Sequence, residues 1–335
     1  MIGYYAHHHG SGHVTRAASI ARALRAVGES TTVLSSRDPV SDFAVDDWVS
    51  LPMDVDSSPP VDPTVNGLLH WAPTNVAGLT QRMAVIAEWL ARTRPRLVVV
   101  DVSVEVALFV RLTGTPVVVI AMPGARDDSV HRLAYDAATA VIAPWSRETY
   151  DPEWLHPYAH KTFHVGAISR FEGRERSTSE TASSMGRTVL VLGGAGGTAL
   201  TRDAVDRAAA ANPDYEWRPA GVDAASWVDD IWPTLCSASV VVTHAGQNAI
   251  ADIACAARPA VIVPQERPFG EQSATATALA SAGAAVVTSE WPAPTEWQAL
   301  IDKALALDPV CWQRLRTDGA AARAATVLTE RVARR

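Results

Sequence analysis

The sequence has few of the features that mark secreted, membrane or nucleic-acid-binding proteins. Its three cysteines are scattered and form no CxxC pair, so we expect reduced thiols in a cytoplasmic protein. No apolar run reaches the roughly 18 residues of a membrane span, and the first residues lack the basic segment and apolar core of a signal peptide. With 29 basic and 36 acidic residues, the net charge of −7 argues against a nucleic-acid partner.

A metal site is not expected either. The sequence has no DxD-like pair of carboxylates in a suitable turn. His7, His8 and His9 follow one another on what the pattern predicts to be a single strand. Successive side chains of a strand point to opposite faces, so this run would not converge on one ion.

The length gives the first positive indication. A chain of 335 residues exceeds what one hydrophobic core usually organises, which predicts two domains. Residues 169–186 are rich in charged, serine and threonine side chains and have almost no apolar ones. We predict that they form a solvated linker between an N-terminal domain, residues 1–168, and a C-terminal domain, residues 187–320.

Short apolar runs alternate with helical patterns in both predicted domains. Examples of predicted strands are Ile2 to Ala6, Leu97 to Val100, Val117 to Ala121 and Thr188 to Leu192. This alternation predicts an α/β fold with a parallel, doubly wound sheet in each half.

The first strand is followed by a glycine-containing turn and a helix. Gly10 and Gly12 allow a backbone to approach a ligand closely, and His13 then lies at the start of the first helix, facing the mouth of the sheet. A dinucleotide fingerprint would need a third glycine, and no acidic residue is cleanly placed at the end of the second strand. Both observations argue against an NAD site.

A second strand, turn and helix occur in residues 240–272. The small residues of the turn lead directly into a helix, whose unpaired N–H groups and dipole favour a phosphate at Gly246, Gln247 and Asn248. Asp252 lies about two helical turns in, where a carboxylate accepts hydrogen bonds from a ribose diol. Glu271 and Gln272 follow the next strand, at the edge of the sheet where ligands gather.

Residues 193–198 have the sequence GGAGGT. Four glycines in five residues offer backbone N–H groups, with Gly194 and Gly196 among them, to phosphate or sugar oxygens. The alternative is a flexible turn between a strand and a helix.

Two segments resemble a known family. The sequence THAGQNAIAD, residues 243–252, followed by P-x-x-x-P-F-x-E-Q, residues 264–272, resembles the donor-binding segment of GT-B glycosyltransferases. It is similar to the plant-type enzymes and to the N-acetylglucosaminyltransferase that forms lipid II. The resemblance implies two Rossmann-like domains facing a cleft, and a last helix, residues 321–335, that crosses back to the first domain. It also implies an inverting, metal-independent transfer from a UDP- or dTDP-sugar.

The resemblance assigns roles in donor binding. The diphosphate would be held by the turn and the helix start, the ribose by Asp252, the donor sugar by the acid-glutamine pair, and the nucleobase by a segment about seventeen residues before His244. The family more often has Glu where this chain has Asp252, and residues 266–269 are extra. The resemblance carries these roles over onto His244, Gly246, Asn248, Asp252, Glu271 and Gln272. The further candidates for donor binding are Gly12, Gly194, Gly196, Trp227, Val228, Ala245 and Gln247. A tryptophan buried in the core is the alternative for Trp227.

The sequence GSGHVTR, residues 10–16, resembles the first turn of the same enzymes. The resemblance implies that His13 is the base that deprotonates the acceptor, oriented by Asp101 after a buried strand. Loops of the first domain would bind the acceptor, with His9, Trp71 and Met122 as candidates; Trp71 would otherwise anchor the long loop of residues 51–75. The expected partners are a nucleotide sugar and a small acceptor, and the protein is expected to be a monomer or a homodimer.

Other functions fit parts of this pattern. Some nucleotide-sugar hydrolases of the same architecture carry a similar G-x-G-H-x-x-R turn, in which the histidine activates water. A UDP-sugar epimerase of the same fold is another alternative. A catalytically silent sugar-nucleotide-binding protein is a further possibility. The long loop of residues 51–75 favours transfer, since a water nucleophile does not require it.

Overall fold

The computed structural model describes residues 1–39, 45–56, 59–176, 187–194, 197, 198 and 200–331. The chain divides into two compact units. The first comprises Met1–Pro144, Pro152–Val165 and Ala320–Arg335, and the second comprises Trp145–Asp151 and Gly166–Gly319. Residues 177–186, the greater part of the predicted linker, lie outside the described residues.

The first unit contains a parallel sheet of seven strands in the order β3-β2-β1-β4-β5-β6-β7. Valine-rich runs such as VVVD and VVVI form its central strands, as expected where both faces of a parallel sheet are covered by helices. The strands are β1 Ile2–Ala6, β2 Thr31–Ser35, β3 Asp47–Ser50, β4 Val98–Asp101, β5 Val117–Ile120, β6 Ala140–Ala143 and β7 Thr162–His164. The helices are α1 Gly12–Ala26, α2 Ala77–Thr93, α3 Val104–Leu112, α4 Ser129–Ala137 and the 3₁₀ helix Glu153–Lys161.

The second unit contains a parallel sheet of five strands in the order β12-β11-β10-β8-β9. The strands are β8 Thr188–Leu192, β9 Glu216–Ala220, β10 Val240–Thr243, β11 Ala260–Ile262 and β12 Val286–Val287. The helices are α5 Arg202–Ala211, α6 Trp232–Ser237, α7 Gln247–Ala256, α8 Glu271–Ser281 and α9 Trp297–Leu305, with 3₁₀ turns at Ala224–Ser226, Pro268–Gly270, Pro294–Glu296 and Pro309–Leu315. Apolar side chains pack on both faces of this sheet.

The C-terminal segment belongs to the first unit. It forms α10, Ala320–Thr326, and a π-helical turn, Val327–Arg331. Small buried side chains of α10, Ala320, Ala321, Ala324 and Ala325, allow it to pack closely against α1. Among the described residues, no helix combines the length and apolar character needed to cross a membrane.

The strand order places one crevice in each sheet. In the first unit the chain runs outward from β1 to β3 and returns with β4 on the other side of β1; in the second, β9 and β10 lie on opposite sides of β8. Ligands of such sheets bind at the carboxyl ends of the strands, where the order reverses. The crevices therefore lie between β1 and β4, and between β8 and β10.

The predicted α/β class with two parallel, doubly wound sheets is confirmed, and two details were wrong or missed. β1 ends at Ala6, so His7, His8 and His9 are not on a strand. The elements β3 and α4 were not predicted. β3 is a half-exposed strand with mixed polarity, and α4 begins at a side-chain cap from Asp128 rather than at a hydrophobic repeat.

Candidate active site

The first crevice brings His13 and Asp101 together. Asp101 is the last residue of β4, opposite Ala6 of β1, and His13 lies in the first turn of α1. The His13 Nδ1 atom is 2.8 Å from the Asp101 Oδ1 atom. The two residues that the resemblance assigned to proton transfer thus form a hydrogen-bonded pair.

The Asp101 carboxylate is buried and has further partners. Its Oδ2 atom accepts hydrogen bonds from the Tyr4 hydroxyl at 2.8 Å and from the Arg16 Nε atom at 3.0 Å. Burial by itself raises the pKa of Asp101, but the charges of Arg16 and His13 outweigh it, and the pKa is lowered to about 2. Asp101 is therefore ionised at neutral pH. It holds the His13 Nδ1 atom as the N–H donor, which leaves Nε2 of the neutral ring as an acceptor.

The predicted acceptor residues have different surroundings. Met122 is buried, and its sulfur lies 3.7 Å from an Arg16 nitrogen, so it borders the His13 network. Trp71 donates from its indole to the Asp54 carbonyl at 3.1 Å and thereby anchors the long loop. The exposed His9 donates from its backbone to the His7 Nδ1 atom at 3.1 Å.

The imidazole rings of His7 and His8 stack at a centroid distance of 4.4 Å, which corrects the expectation that they point to opposite faces. The turn after β1 removes the alternation of a strand. Ligating atoms of His7, His8 and Asp54 lie within 4.8 Å of one another. The Arg82 Nη1 atom donates to the Asp54 Oδ2 atom at 2.9 Å, so the Asp54 carboxylate of this group also has an arginine partner.

A second histidine group of the described residues comprises His70, Asp128 and His131. Arg126 lies 3.1 Å from the His131 Nε2 atom, and an arginine can only donate there. The His131 Nδ1 atom must then carry the proton and donate it in the hydrogen bond to the Asp128 Oδ2 atom, 2.5 Å away. These hydrogen bonds account for the cluster, and we assign no metal ion to it.

The second crevice contains His244, which follows β10. Its Nδ1 atom lies 2.8 Å from the Val263 carbonyl and must donate, so Nε2 accepts from the Thr198 hydroxyl at 2.8 Å. Burial lowers the pKa of His244, and the Val263 carbonyl opposes this only in part. The ring is therefore neutral, and both of its nitrogens are engaged within the protein.

The helix start expected to bind an anion has space beside Gly246. Gly246 caps α7, and no atom lies within 4 Å of the position that a Cβ atom would take there. Gln247 and Asn248 are half-buried in the first turn. Ala245, in contrast, is buried, and its side chain packs in the core on the inner side of the turn.

The segment after β11 contacts the glycine loop after β8. The Gln265 and Arg267 side chains both donate to the Gly197 carbonyl, at 3.2 and 2.9 Å. The buried Gln272 accepts from the Gln265 backbone at 2.9 Å, and Glu271 begins α8. Thr198, Gln265 and Arg267 were not predicted as site residues, since no local pattern shows that the ends of three strands meet.

Asp252 is buried and both of its oxygens are hydrogen-bonded. Ser169 donates to Oδ1 at 2.7 Å and Arg170 to Oδ2 at 3.1 Å. Burial raises the pKa of Asp252 to about 6, although Arg170 and Ser169 act in the opposite direction. In this structure the carboxylate fastens residues 169 and 170 to α7, and its role as a ribose ligand stays a prediction.

Trp227 is 60% exposed and Val228 40% exposed, which excludes a core role for this tryptophan. Both follow β9, and the Trp227 ring lies beside Gly221. Open space surrounds the Cβ position of Gly194. Gly196 lies outside the described residues, and Gly12 is the first residue of α1.

Comparisons with known proteins agree with this geometry. Residues 207–309 match the model of the glycosyltransferase family 28 C-terminal domain. The glycotransferase of kitacinnamycin has a similar structure, with a TM-score of 0.70 and 18% identity over 99% of this chain and 98% of that one. SnogD, a glycosyltransferase from Streptomyces nogalater, has a TM-score of 0.64 and 17% identity over 99% of both chains.

MurG from Acinetobacter baumannii has a TM-score of 0.62 and 15% identity over 98% of this chain and 99% of that one. At these low identities the solved structures show a shared fold, whereas the family match describes the domain that contains residues 207–309. Taken together, they show that the chain has the GT-B type of fold and that residues 207–309, in its second unit, resemble a family 28 C-terminal domain.

Proposed function

We propose that this protein transfers a sugar, with inversion, from a UDP- or dTDP-sugar to a hydroxyl group of a small acceptor. The observation that carries the proposal is the His13–Asp101 pair, 2.8 Å apart at the carboxyl ends of β1 and β4. A family 28 glycosyltransferase domain in residues 207–309 supports a sugar-nucleotide donor.

In the proposed reaction the His13 Nε2 atom takes the proton of the acceptor hydroxyl. The acceptor oxygen attacks the anomeric carbon, and the bond from that carbon to the diphosphate oxygen breaks. Asp101 keeps the Nδ1 proton in place and stabilises the imidazolium that forms. A positioned base of this kind contributes about 10²- to 10⁴-fold to the rate.

The leaving diphosphate is proposed to lie at the start of α7. The backbone N–H groups of Gln247 and Asn248 belong to its first turn, where the helix dipole favours negative charge. Stabilisation by preorganised donors needs no metal ion and is often the largest single contribution to catalysis.

The acceptor is proposed to be small and largely apolar. Several large apolar side chains on the loop of residues 51–75 are exposed, namely Met53, Val55, Val61 and Leu68. Exposed apolar groups in one segment are typical of ligand-binding surfaces. The glycosyltransferases of kitacinnamycin and calicheamicin share this fold, which agrees with a natural product as the acceptor.

The first experiment measures thermal stabilisation and nucleotide release with UDP-, dTDP- and GDP-sugars, with and without small aromatic and apolar acceptors that carry a hydroxyl group. We expect one nucleotide to stabilise the protein, and release to need an acceptor. His13→Ala should retain the stabilisation and lose about 10²- to 10⁴-fold in transfer rate, whereas His160→Ala, an exposed histidine of the first unit, should keep both.

Rapid, sustained release without an acceptor would identify water as the acceptor and the protein as a hydrolase. The arginine of the G-x-G-H-x-x-R turn, Arg16, lies in the His13 network, and this observation favours the hydrolase as the second candidate. A protein stabilised by none of the nucleotides would contradict the donor site.

A further inference from the structure

Arg267 lies where three strand ends meet in the second unit. The strands β8, β10 and β11 are neighbours, with Thr243 paired to both Leu192 and Ile262. The glycine loop follows the first of these strands, His244 the second and Arg267 the third. The Arg267 Nη2 atom donates to the Gly197 carbonyl at 2.9 Å, which holds the guanidinium at the glycine loop.

The histidine at this edge does not supply positive charge. Its two ring nitrogens are used by Val263 and Thr198, so neither of them is available to bind a phosphate oxygen. Burial, followed by the nearby charge of Arg267, disfavours the cationic form of His244. The Gly197 carbonyl that binds Arg267 belongs to the residue before Thr198, whose hydroxyl contacts the His244 ring, so the guanidinium lies beside the turn that leads into α7.

We propose that Arg267 binds the diphosphate of the nucleotide donor and supplies the positive charge that neutral His244 does not. This inference rests on the proposed function, since it assumes a nucleoside diphosphate donor. A guanidinium has five N–H donors in a planar fork and remains charged at all relevant pH values. It can hold the Gly197 carbonyl and a phosphate oxygen at the same time, through short, charge-assisted hydrogen bonds.

The role also has a consequence for catalysis. Negative charge on the leaving diphosphate grows as the bond to the anomeric carbon breaks, so a fixed cation beside it favours the transition state more than the ground state. Loss of Arg267 should thus lower kcat as well as donor affinity.

The test compares nucleotides with nucleosides by titration calorimetry on the full chain. We expect Arg267→Ala to weaken the binding of UDP or dTDP about 10- to 100-fold and to leave the binding of uridine or thymidine unchanged. Arg267→Lys should recover part of the loss, because it restores the charge without the fork. Arg207→Ala, which removes an exposed arginine on α5, is the matched control and should bind like the wild type.

Salt and pH supply independent readouts. The affinity of the wild type for UDP-glucose should fall with ionic strength more steeply than that of Arg267→Ala, because screening acts on the charge that was removed. The loss of affinity caused by Arg267→Ala should be the same at pH 6 and at pH 8, because a guanidinium stays charged, whereas the contribution of a histidine cation would disappear in that interval.

The outcomes separate the two claims. If the wild type binds a nucleoside diphosphate and Arg267→Ala binds it equally well, the role of Arg267 is wrong and the donor site stands. Equal losses for nucleotide and nucleoside would mean that the arginine only supports the fold, which also overturns the inference. If UDP, dTDP and GDP all fail to bind the wild type, both the inference and the proposed donor fall.

Discussion

Two buried aspartates show how neighbours decide the state of a single residue. Asp101 and Asp252 are both inaccessible to solvent, and burial raises the pKa of each. Asp101 has the buried Arg16, His13 and Tyr4 as partners and a pKa lowered to about 2. Asp252 has Ser169 and the partly exposed Arg170, and its pKa is raised to about 6. The buried Arg16 therefore outweighs the effect of burial on the pKa of Asp101, whereas the partly exposed Arg170 does not outweigh it for Asp252.

The raised pKa of Asp252 makes the stability of the fold depend on pH. Between about pH 4 and pH 6 the folded protein binds this proton more tightly than the unfolded chain does, so the contribution of Asp252 to the free energy of unfolding falls as the pH rises. We expect Asp252→Asn to remove this decline, which is on the order of 3 kcal/mol. Thermal unfolding from pH 4 to pH 7 measures it.

The control for this prediction is Asp302→Asn, an exposed aspartate on α9. Its unfolding curve should follow the wild type at every pH. Parallel pH profiles for Asp252→Asn and the wild type would show that Asp252 ionises normally and that the buried carboxylate is better solvated than its contacts indicate.

At the scale of secondary structure, the end of β8 depends on close backbone contact. Gly193 donates to the Ala220 carbonyl at 2.8 Å, and a Cβ atom at Gly193 would come within 2.2 Å of the Gly221 carbonyl oxygen. Neighbouring Gly194 has open space in the same position. Neither has a positive φ, so the difference between the two glycines is steric.

We therefore expect Gly193→Ala to lower the free energy of unfolding by about 1–3 kcal/mol, because the ends of β8 and β9 must separate. Gly194→Ala should change it by less than about 0.5 kcal/mol. Urea unfolding followed by circular dichroism checks both. Equal effects of the two substitutions would mean that the loop relaxes around the added methyl group.

The loop between β11 and α8 also has an unusual backbone. Phe269 and Gly270 have φ angles of 61° and 64°, the left-handed region that costs a non-glycine residue about 1–3 kcal/mol. Phe269 is also partly exposed. Such strain directly before Glu271 and Gln272 agrees with a segment shaped for ligand contact rather than for stability alone.

On the scale of the whole chain, the first unit is not continuous in sequence. It is completed by α10, whose small side chains pack against α1, the helix that carries His13. On α10 itself, Ala324 is fully buried, whereas Ala322 is exposed. The C-terminal segment therefore contributes to the environment of the N-terminal helix.

We expect Ala324→Glu to destabilise the first unit by more than about 2 kcal/mol, since it buries an unpaired charge. Ala322→Glu should be nearly neutral. Hydrogen exchange measured by mass spectrometry should then increase in Gly12–Ala26 for Ala324→Glu and stay unchanged in α7. Equal protection of α1 in both variants would contradict this role of α10.

Much of the fold follows from local pattern. Valine-rich runs alternating with helical repeats predicted the two parallel sheets, because such runs bury both faces of a strand. The segments 10–16 and 240–272 predicted the two crevices, because small residues that join a strand to a helix let a ligand approach the backbone and the start of the helix. β3 and α4 were missed, since a half-exposed edge strand and a side-chain cap leave little periodicity to read.

The sequence by itself determined the class of fold and indicated that His13 and Asp101 form a pair, because these depend on short patterns and on the resemblance that they carry. Only the tertiary structure decided that Tyr4 and Arg16 hold Asp101, that His244 is neutral, and that Arg267 contacts the glycine loop. The reason is physical: protonation states and hydrogen bonds arise between strand ends that are neighbours in the sheet and distant in the chain.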